Sequence, residues 1–535
     1  MIMELKYPIG IQTFDKIRED GYVYVDKTDM IYSLTHSGTI YFLSRPRRFG
    51  KSLLVSTLKN YYLGRRDLFK GLAIDKLEKD WNTYPVFHID FNADMFSQVG
   101  SLDETLEAYV SRWEKEYGIE REYPMSVGRR FAYVMEEAHR QTGLRCVVLI
   151  DEYDKPILDV IDSKAKVAFH GDSILLEDYN RNVLKAFYST FKLADKDVQF
   201  VLLTGVTKFS QVSVFSGFNQ PDDISMSNEY AALCGITDEE IKEYFDVPVS
   251  EMANYYHCSY NDMVAALKKQ YDGYHFSDEM IGVYNPFSLL NAFKYLRIQD
   301  YWFRTGTPTY LVRLLRHFNE NLNELTGKYY LPEQFVDYRA DVEKPLPMIF
   351  QSGYLTIKDY DVSLNAFMLD FPNDEVKRGF VTLLANNYLQ PEESVDSWLI
   401  TAVMMLKQGD TDAFRKQLTS FLASIPYTMR RKDTEREKER YFHYTFYLLL
   451  RLLSTFVTYT EKQQSQGRVD CIIETGKFVY IFEFKLDGTA AEAIRQIEKK
   501  GYAEEYSADK RKVFKIGVSF SSETGTVDDW QMIEG

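Results

Sequence analysis

The sequence predicts an α/β protein in three parts: a parallel-sheet domain over residues 1–232, a mostly helical stretch over 233–425 and a second α/β domain over 426–535. Three observations carry this. Apolar runs alternate with amphipathic helical patterns through the first 230 or so residues; the pattern then turns helical; the tail changes character again after a charged run. The early runs are IYFLS from Ile40, FHIDF from Phe87, CVVLIDEYD from Cys146 and VQFVLLTG from Val198, interleaved with segments such as KSLLVSTLKNYYLG. Continuous apolar strands of this kind are buried on both faces, as in a parallel sheet. The helical stretch begins at Thr237, where TDEEIKEYF opens with a Thr-x-x-Glu capping box. In the tail, RRKDTEREKER precedes YFHYTFYLLLRLLSTF, two strand-like runs and the helical AAEAIRQIEKKGYAEEY. A length of 535 residues fits three to four domains at about 150 residues each.

Composition narrows the chemistry. Lys and Arg number 64 against 79 Asp and Glu, a net charge of −15, so the surface as a whole is no polycation and any nucleic-acid contact must be local. Only 8 His and 4 Cys are present, and Cys146, Cys234, Cys258 and Cys471 stand far apart with no CxxC pair, which suggests neither a zinc ribbon nor a disulfide framework. Carboxylates, lysines and backbone groups are left to do the work. The amino terminus MIMELKYPIG has no signal-peptide core, and the apolar stretch from Tyr447 is short and broken by Arg451. A cytoplasmic protein with no membrane partner is therefore expected. The 40 Tyr and 36 Phe read as core and helix-packing residues.

The run IYFLS leads through RPRRFGKS into LLVSTLKNYY, so Gly50, Lys51 and Ser52 fall at a strand-to-helix turn. A phosphate cradle needs a small residue at Gly50 so that backbone N–H groups can close on phosphate, a flexible cation at Lys51, and a hydroxyl at Ser52 to ligate magnesium. The G-x-x-x-x-G-K-[ST] pattern has Arg45 where its first glycine belongs. A partner appears at Asp151-Glu152, ending an apolar strand: Asp151 suits magnesium, and Glu152 suits orienting or deprotonating the attacking water. Thr204 and Thr207, with Lys208, end a third strand at the carboxyl edge of the same sheet, where a γ-phosphate is sensed.

The segments YPIGIQTFDKIREDGYVYVDKT, YFLSRPRRFGKSLLVSTLKNYY, VVLIDEYDKPI, LLTGVTKFSQVSVFSGFN and YDGYHFSDEMIGVYNPFSLLNAF together resemble the bacterial AAA-ATPase-like family that carries a carboxy-terminal PD-(D/E)XK nuclease-type domain. The resemblance implies a P-loop, AAA+-like fold, and makes Arg45 a habit of the family's Arg-Pro-Arg-Arg-Phe loop, to be counted with Gly50, Lys51 and Ser52 among the nucleotide-binding residues. It also implies that Tyr24 to Thr28 lie near the nucleotide. Arg47 and Arg48 are candidates for phosphate or intersubunit contacts in a homo-oligomer, against a competing reading as solvated loop arginines.

In the tail, GRVDCIIETGKFVYIFEFKLDG reads as a hairpin. With Thr475-Gly476 as the turn, Glu474 faces Lys477 and Asp470 lies opposite Ile481, with Glu483 diagonal to it. Alternation puts Val479, Ile481, Glu483 and Lys485 on one face. Phosphodiester cleavage needs such a set: Asp470 and Glu483 to hold one or two hard divalent ions, and Lys485 to steady the nucleophile or the developing charge. The spacing is D-x(12)-E-x-K, with Val469 in place of the usual proline. Glu439 matches an accessory acid of the nuclease superfamily, with His443 one turn away; Gln496 and Tyr502 resemble accessory positions. The basic residues from Arg430 to Arg440 are interleaved with acids and read as a solvated helix face. The expected whole is an ATP-binding and ATP-hydrolysing protein whose nucleotide state controls a Mg2+- or Mn2+-dependent nuclease acting on DNA or RNA. The competing reading is a nucleotide-dependent switch or scaffold whose tail binds or assembles and cuts nothing.

Overall fold

The four early apolar runs form β1 (Ile40–Ser44), β2 (Val86–Asp90), β3 (Cys146–Asp151) and β4 (Val198–Gly205), joined by a short β5 (Asp222–Asp223) in one sheet of order β2-β3-β4-β1-β5. Every pairing in it is parallel. The structure is a computed structural model and describes residues 5–120, 124–161, 163–169, 171–209, 221–303, 325–336, 345–389, 395–425, 445, 448–449, 452–453, 458–460, 463–464, 467–468 and 471–534. All six residues of β3 are buried, as an apolar run covered on both faces requires. Each such Val, Leu or Ile contributes about 1.5–3 kcal/mol relative to exposure. Because β4 is inserted between β1 and β3, the ends of the loop strand, the acidic strand and the Thr204 strand converge at one edge.

Helix α1 (Lys51–Tyr62) follows β1; α2 (Ser101–Glu116) and α3 (Val127–Thr142) precede β3 and are pinned by Arg130, which pairs with Glu107 and Glu114. The predicted capping box is present: Thr237 caps α4 (Asp238–Tyr244), and Glu240 returns the bond. Around it, α5 (Asp246–Tyr256), α6 (Tyr260–Tyr271) and α7 (Pro286–Tyr295) bury Phe245, Met252, Leu267 and Phe293 in a common core.

The middle is not helical throughout. Strands β6 (Lys328–Tyr330), β7 (Thr356–Asp361) and β8 (Ala366–Asp370) form an antiparallel sheet of order β6-β8-β7. Its hairpin is closed by the Asp361 carboxylate, which accepts from Ser363 N and Leu364 N, and is tightened by Tyr360 stacking on Phe367.

The chain divides into two compact units, 1–375 and 376–535, with the boundary in the first turn of α8 (Asp374–Leu389), so the helices after residue 375 group with the C-terminal sheet rather than with the middle. That sheet contains β9 (Thr458–Thr460), β10 (Cys471–Glu474), β11 (Phe478–Leu486), β12 (Lys512–Phe520) and β13 (Val527–Glu534) in sequence order, parallel only between β11 and β12. The grouping has a physical cause. In α9 (Val395–Gln408) the Leu406 carbonyl accepts from Tyr480 Oη at 2.7 Å, and in α10 (Thr411–Ala423) Phe414 packs against Phe482 and Trp530. Helix α11 (Ala490–Lys499), capped by a Thr489–Glu492 box, buries Ile494 and Ile497 against Ile472, Val479 and Ile481.

Candidate functional site

The loop between β1 and α1 turns through two left-handed residues, Arg48 (φ 68°) and Gly50 (φ 97°). At Gly50 that conformation favours glycine, and the next residue starts the helix. Lys51 is 4% exposed; its Nζ donates to the carbonyls of Arg45 (3.0 Å) and Pro46 (3.3 Å) and lies 3.4 Å from Glu152 Oε1. Glu152 follows β3 with φ 54°, a conformation a non-glycine residue adopts only where its surroundings impose it. Here that turn brings its carboxylate to Lys51. Asp151 is buried and accepts from Thr204 Oγ1 at 2.6 Å, a contact made possible by the β3–β4 pairing.

A cleft of about 400 Å3 opens over this loop, bordered by Arg47, Arg48, Lys51, Ser52, Glu152 and Lys155. Four cations and one carboxylate make it a place for a polyanion. The Arg48 guanidinium rests over the Phe287 ring at 5.2 Å. A second cavity of about 110 Å3 shares Gly50 and Leu53 with the cleft and is walled by Val23, Tyr24, Val25, Lys27, Ile236 and Phe245. Tyr24, Val25 and Lys27 of the segment singled out by resemblance therefore border a mainly apolar space beside the loop, and Lys27 pairs with Glu240. Thr28 instead donates to the Asp26 carboxylate.

Arg45 takes another direction. Its guanidinium is buried, donating to the carbonyls of Ser44 (2.9 Å), Ser225 (2.7 Å) and Tyr230 (3.1 Å) above the Phe276 ring, and burial pushes its pKa down to about 10. The side chain expected at the nucleotide thus faces the interior, and only the carbonyl of Arg45 reaches Lys51.

In the C-terminal unit the β10–β11 register pairs Cys471 with Phe482 and Glu474 with Val479. This corrects the expected hairpin, in which Glu474 faced Lys477. The Thr475 hydroxyl accepts from Phe478 N (2.9 Å) and Thr475 N donates to Phe478 O (2.8 Å), so the turn takes a wider loop and the register moves by two. A two-residue shift preserves the faces, and Glu483 and Lys485 stay on the side of α11. Glu483 is 1% exposed; Lys485 Nζ lies 3.4 Å from its Oε1 and donates to Gln496 Oε1 at 2.7 Å, while Gln496 Nε2 donates to Glu483. Tyr502 is buried in the core cluster. Asp470, Val469, Glu439, His443 and the basic run from Arg430 to Arg440 lie outside the described residues. Among the described residues no group of three or more His, Cys, Asp or Glu is arranged to hold a metal ion. Glu483 supplies one buried carboxylate beside a lysine, the hard oxygen donor that a divalent cation takes.

The sequence matches the family described as a predicted AAA-ATPase over residues 8–215 and the PD-(D/E)XK nuclease superfamily over residues 437–530. A protein of Azotobacter chroococcum mcd 1, described as an uncharacterized protein in the vnfD 5' region, is 36% identical over 534 residues, covering 98% of each chain. The chain belongs to this predicted AAA-ATPase family, with its nuclease-superfamily domain at the C-terminal end. Among the described residues no helix is long and apolar enough to cross a membrane.

Within the AAA-ATPase-like unit the structure brings Lys51, Ser52 and Glu152 to one cleft, while Asp151, next to Glu152 in sequence, is buried and bonded to Thr204 and does not line it. Thr207 is turned away: its N and Oγ1, each at 2.7 Å, and Val206 N at 3.0 Å donate to Asp154 Oδ2. Tyr153 Oη donates to the Thr207 carbonyl (2.8 Å) and accepts from Phe209 N (3.1 Å). Sequence reasoning missed Asp154 and Tyr153, which clamp the end of β4. The available signal was the third acid in CVVLIDEYD: an acid within so apolar a segment needs buried donors.

Proposed function

We propose that the chain binds Mg-ATP in the Lys51 cleft, hydrolyses it, and uses its nucleotide state to control metal-dependent cleavage of DNA or RNA by the nuclease-like unit. The observation that carries the reading is the adjoining of a cationic cleft and a mainly apolar pocket at Gly50, which matches a ligand with a polyphosphate at one end and a base at the other. ATP is the nucleotide proposed because the family is a predicted ATPase.

Ser52 and Asp151 would hold the magnesium ion, which supplies charge neutralisation between the phosphates. Lys51, released from Glu152 and the loop carbonyls, takes the terminal phosphates, and the freed Glu152 carboxylate orients water and accepts its proton. Thr204 holds Asp151 in place. In the nuclease-like unit, Asp470 and Glu483 would hold Mg2+ or Mn2+, and Lys485, steered by Gln496, stabilises the charge that develops on the scissile phosphate.

The deciding experiment incubates the purified full chain with end-labelled DNA and RNA, with and without ATP, Mg2+ and Mn2+. Metal-dependent cleavage that Glu483→Ala abolishes and Lys51→Ala renders insensitive to ATP is the expected result. Cleavage equal in wild type and Glu483→Ala would remove the nuclease assignment. Nucleotide-dependent binding with no cleavage of any substrate would favour the switch or scaffold instead.

A further inference from the structure

The segment YDGYHF and the residues after it have no role in the reading above, yet the structure packs them onto the phosphate loop. Phe49 meets Tyr274 edge-on at 4.7 Å and Phe276 at 5.6 Å, and Phe276 also lies under the Arg45 guanidinium. Gly353 (φ 86°) lies so close to Pro46 that an added Cβ would come within 2.6 Å of the proline ring. Trp302 reaches the same loop. It is 1% exposed, packs on Tyr354 at 5.3 Å, and its indole Nε1 donates to the Arg47 carbonyl at 2.9 Å. Its own backbone N is fixed by Glu375 Oε1 (2.7 Å) and Ser288 Oγ (3.1 Å). A loop that lacks its first glycine is thus held from outside by aromatic side chains.

The Trp302 bond has a directional consequence. A trans peptide is planar, with its C=O and N–H on opposite sides, so fixing the Arg47 carbonyl also fixes the direction of the Arg48 N–H, turned away from Trp302. Arg48 borders the cleft, and its φ of 68° is of the kind found where successive N–H groups curl round an anion. We propose that Trp302 is the positioning residue of the phosphate loop: by holding the Arg47 carbonyl it aims the Arg48 N–H at a phosphate oxygen of the bound nucleotide. The inference rests on the nucleotide reading of this cleft, and it adds a residue far from the loop in sequence.

The test is Trp302→Phe in the full chain, which keeps an aromatic ring and removes the N–H. Displacement of a fluorescent N-methylanthraniloyl-ADP probe should show ATP affinity reduced about 10-fold, the upper range for one lost hydrogen bond, with AMP affinity changed less than about 2-fold. Equal weakening of ATP and AMP would mean a general loss of packing and would overturn the proposal, as would unchanged ATP affinity. A wild type that fails to bind the probe at all would overturn the nucleotide reading itself, a separate outcome. Should the variant not fold, wild type labelled with 5-fluorotryptophan answers the question by 19F NMR. The Trp302 signal, assigned by replacing Trp81, Trp113, Trp398 and Trp530 with Phe, must shift on adding ATP; an unmoved signal would overturn the proposal.

Discussion

Each unit holds a lysine Nζ 3.4 Å from a glutamate Oε1, but the two pairs are built differently. Lys51 and Glu152 come from different elements far apart in sequence, and Lys51 is 4% exposed. Lys485 and Glu483 are two residues apart on β11, and Lys485 is 28% exposed. The first pair exists only if a loop and a left-handed turn are both held correctly by residues that never meet a ligand. The second inherits its geometry from the alternation of one strand. Distant packing defects should therefore disable the first site and spare the second.

The largest effect is expected at Asp154. Its buried Oδ2 accepts three bonds from Val206 and Thr207, so Asp154→Ala leaves those donors without a partner and should lower the stability of the ATPase-like unit by about 3–5 kcal/mol, read by urea unfolding. Burial pushes the Asp154 carboxyl up to about 6 from 3.8. The folded state therefore keeps this proton at pH values where the unfolded chain has lost it. The group's contribution to stability falls as pH rises from about 4 to about 6 and is level above. Asp154→Asn should remove that slope; an unchanged slope would assign it to another group. Next comes Arg45→Gly, which restores the first glycine of the phosphate-loop pattern. It should destabilise by about 2–3 kcal/mol, because three carbonyls lose their donor and a buried side chain leaves a void. A more stable variant with tighter ATP binding would show that the glycine pattern, not the buried guanidinium, governs this loop.

Gln496→Ala probes the other side of the comparison. Gln496 bridges Lys485 and Glu483 from α11, so its loss should reduce cleavage about 10-fold while stability moves by under about 1 kcal/mol and ATP affinity stays put. A fall in ATP affinity in this variant would break the distinction between the two sites.

What the sequence made legible follows the same division. The four parallel strands were readable because each is a continuous apolar run, and Thr237 and Thr489 announced their helices through capping boxes formed within four residues. The positions of Gly50 and Lys51 at a strand-to-helix turn, of Asp151 at the end of a buried strand and of Glu483 and Lys485 on one strand were readable from local spacing. The inward course of Arg45 was not, since its acceptors, Ser225 and Tyr230, lie far along the chain. Nor was the fixation of Thr207 by Asp154, because an acid after a strand reads as a solvated turn until its donors are known. The antiparallel strands between 328 and 370 are short, and their hairpin depends on one aspartate side chain that no period reveals.

The smallest effect tests the one register the sequence misjudged. The Thr475 hydroxyl accepts from Phe478 N and so sets a loop two residues wider than the expected Thr475-Gly476 turn. Its neighbours are held independently: Arg511 pairs with Glu474 at 2.8 Å, and Tyr506 Oη donates to Glu474 at 3.0 Å. Thr475→Ala should therefore cost only about 1 kcal/mol, the worth of one hydrogen bond, with cleavage unchanged because Glu483 and Lys485 keep their face. Loss of cleavage in this variant would mean that the turn, and not the strand's alternation, fixes the Glu483–Lys485 pair. The two sites would then share the dependence on distant loop contacts that separates them in this structure.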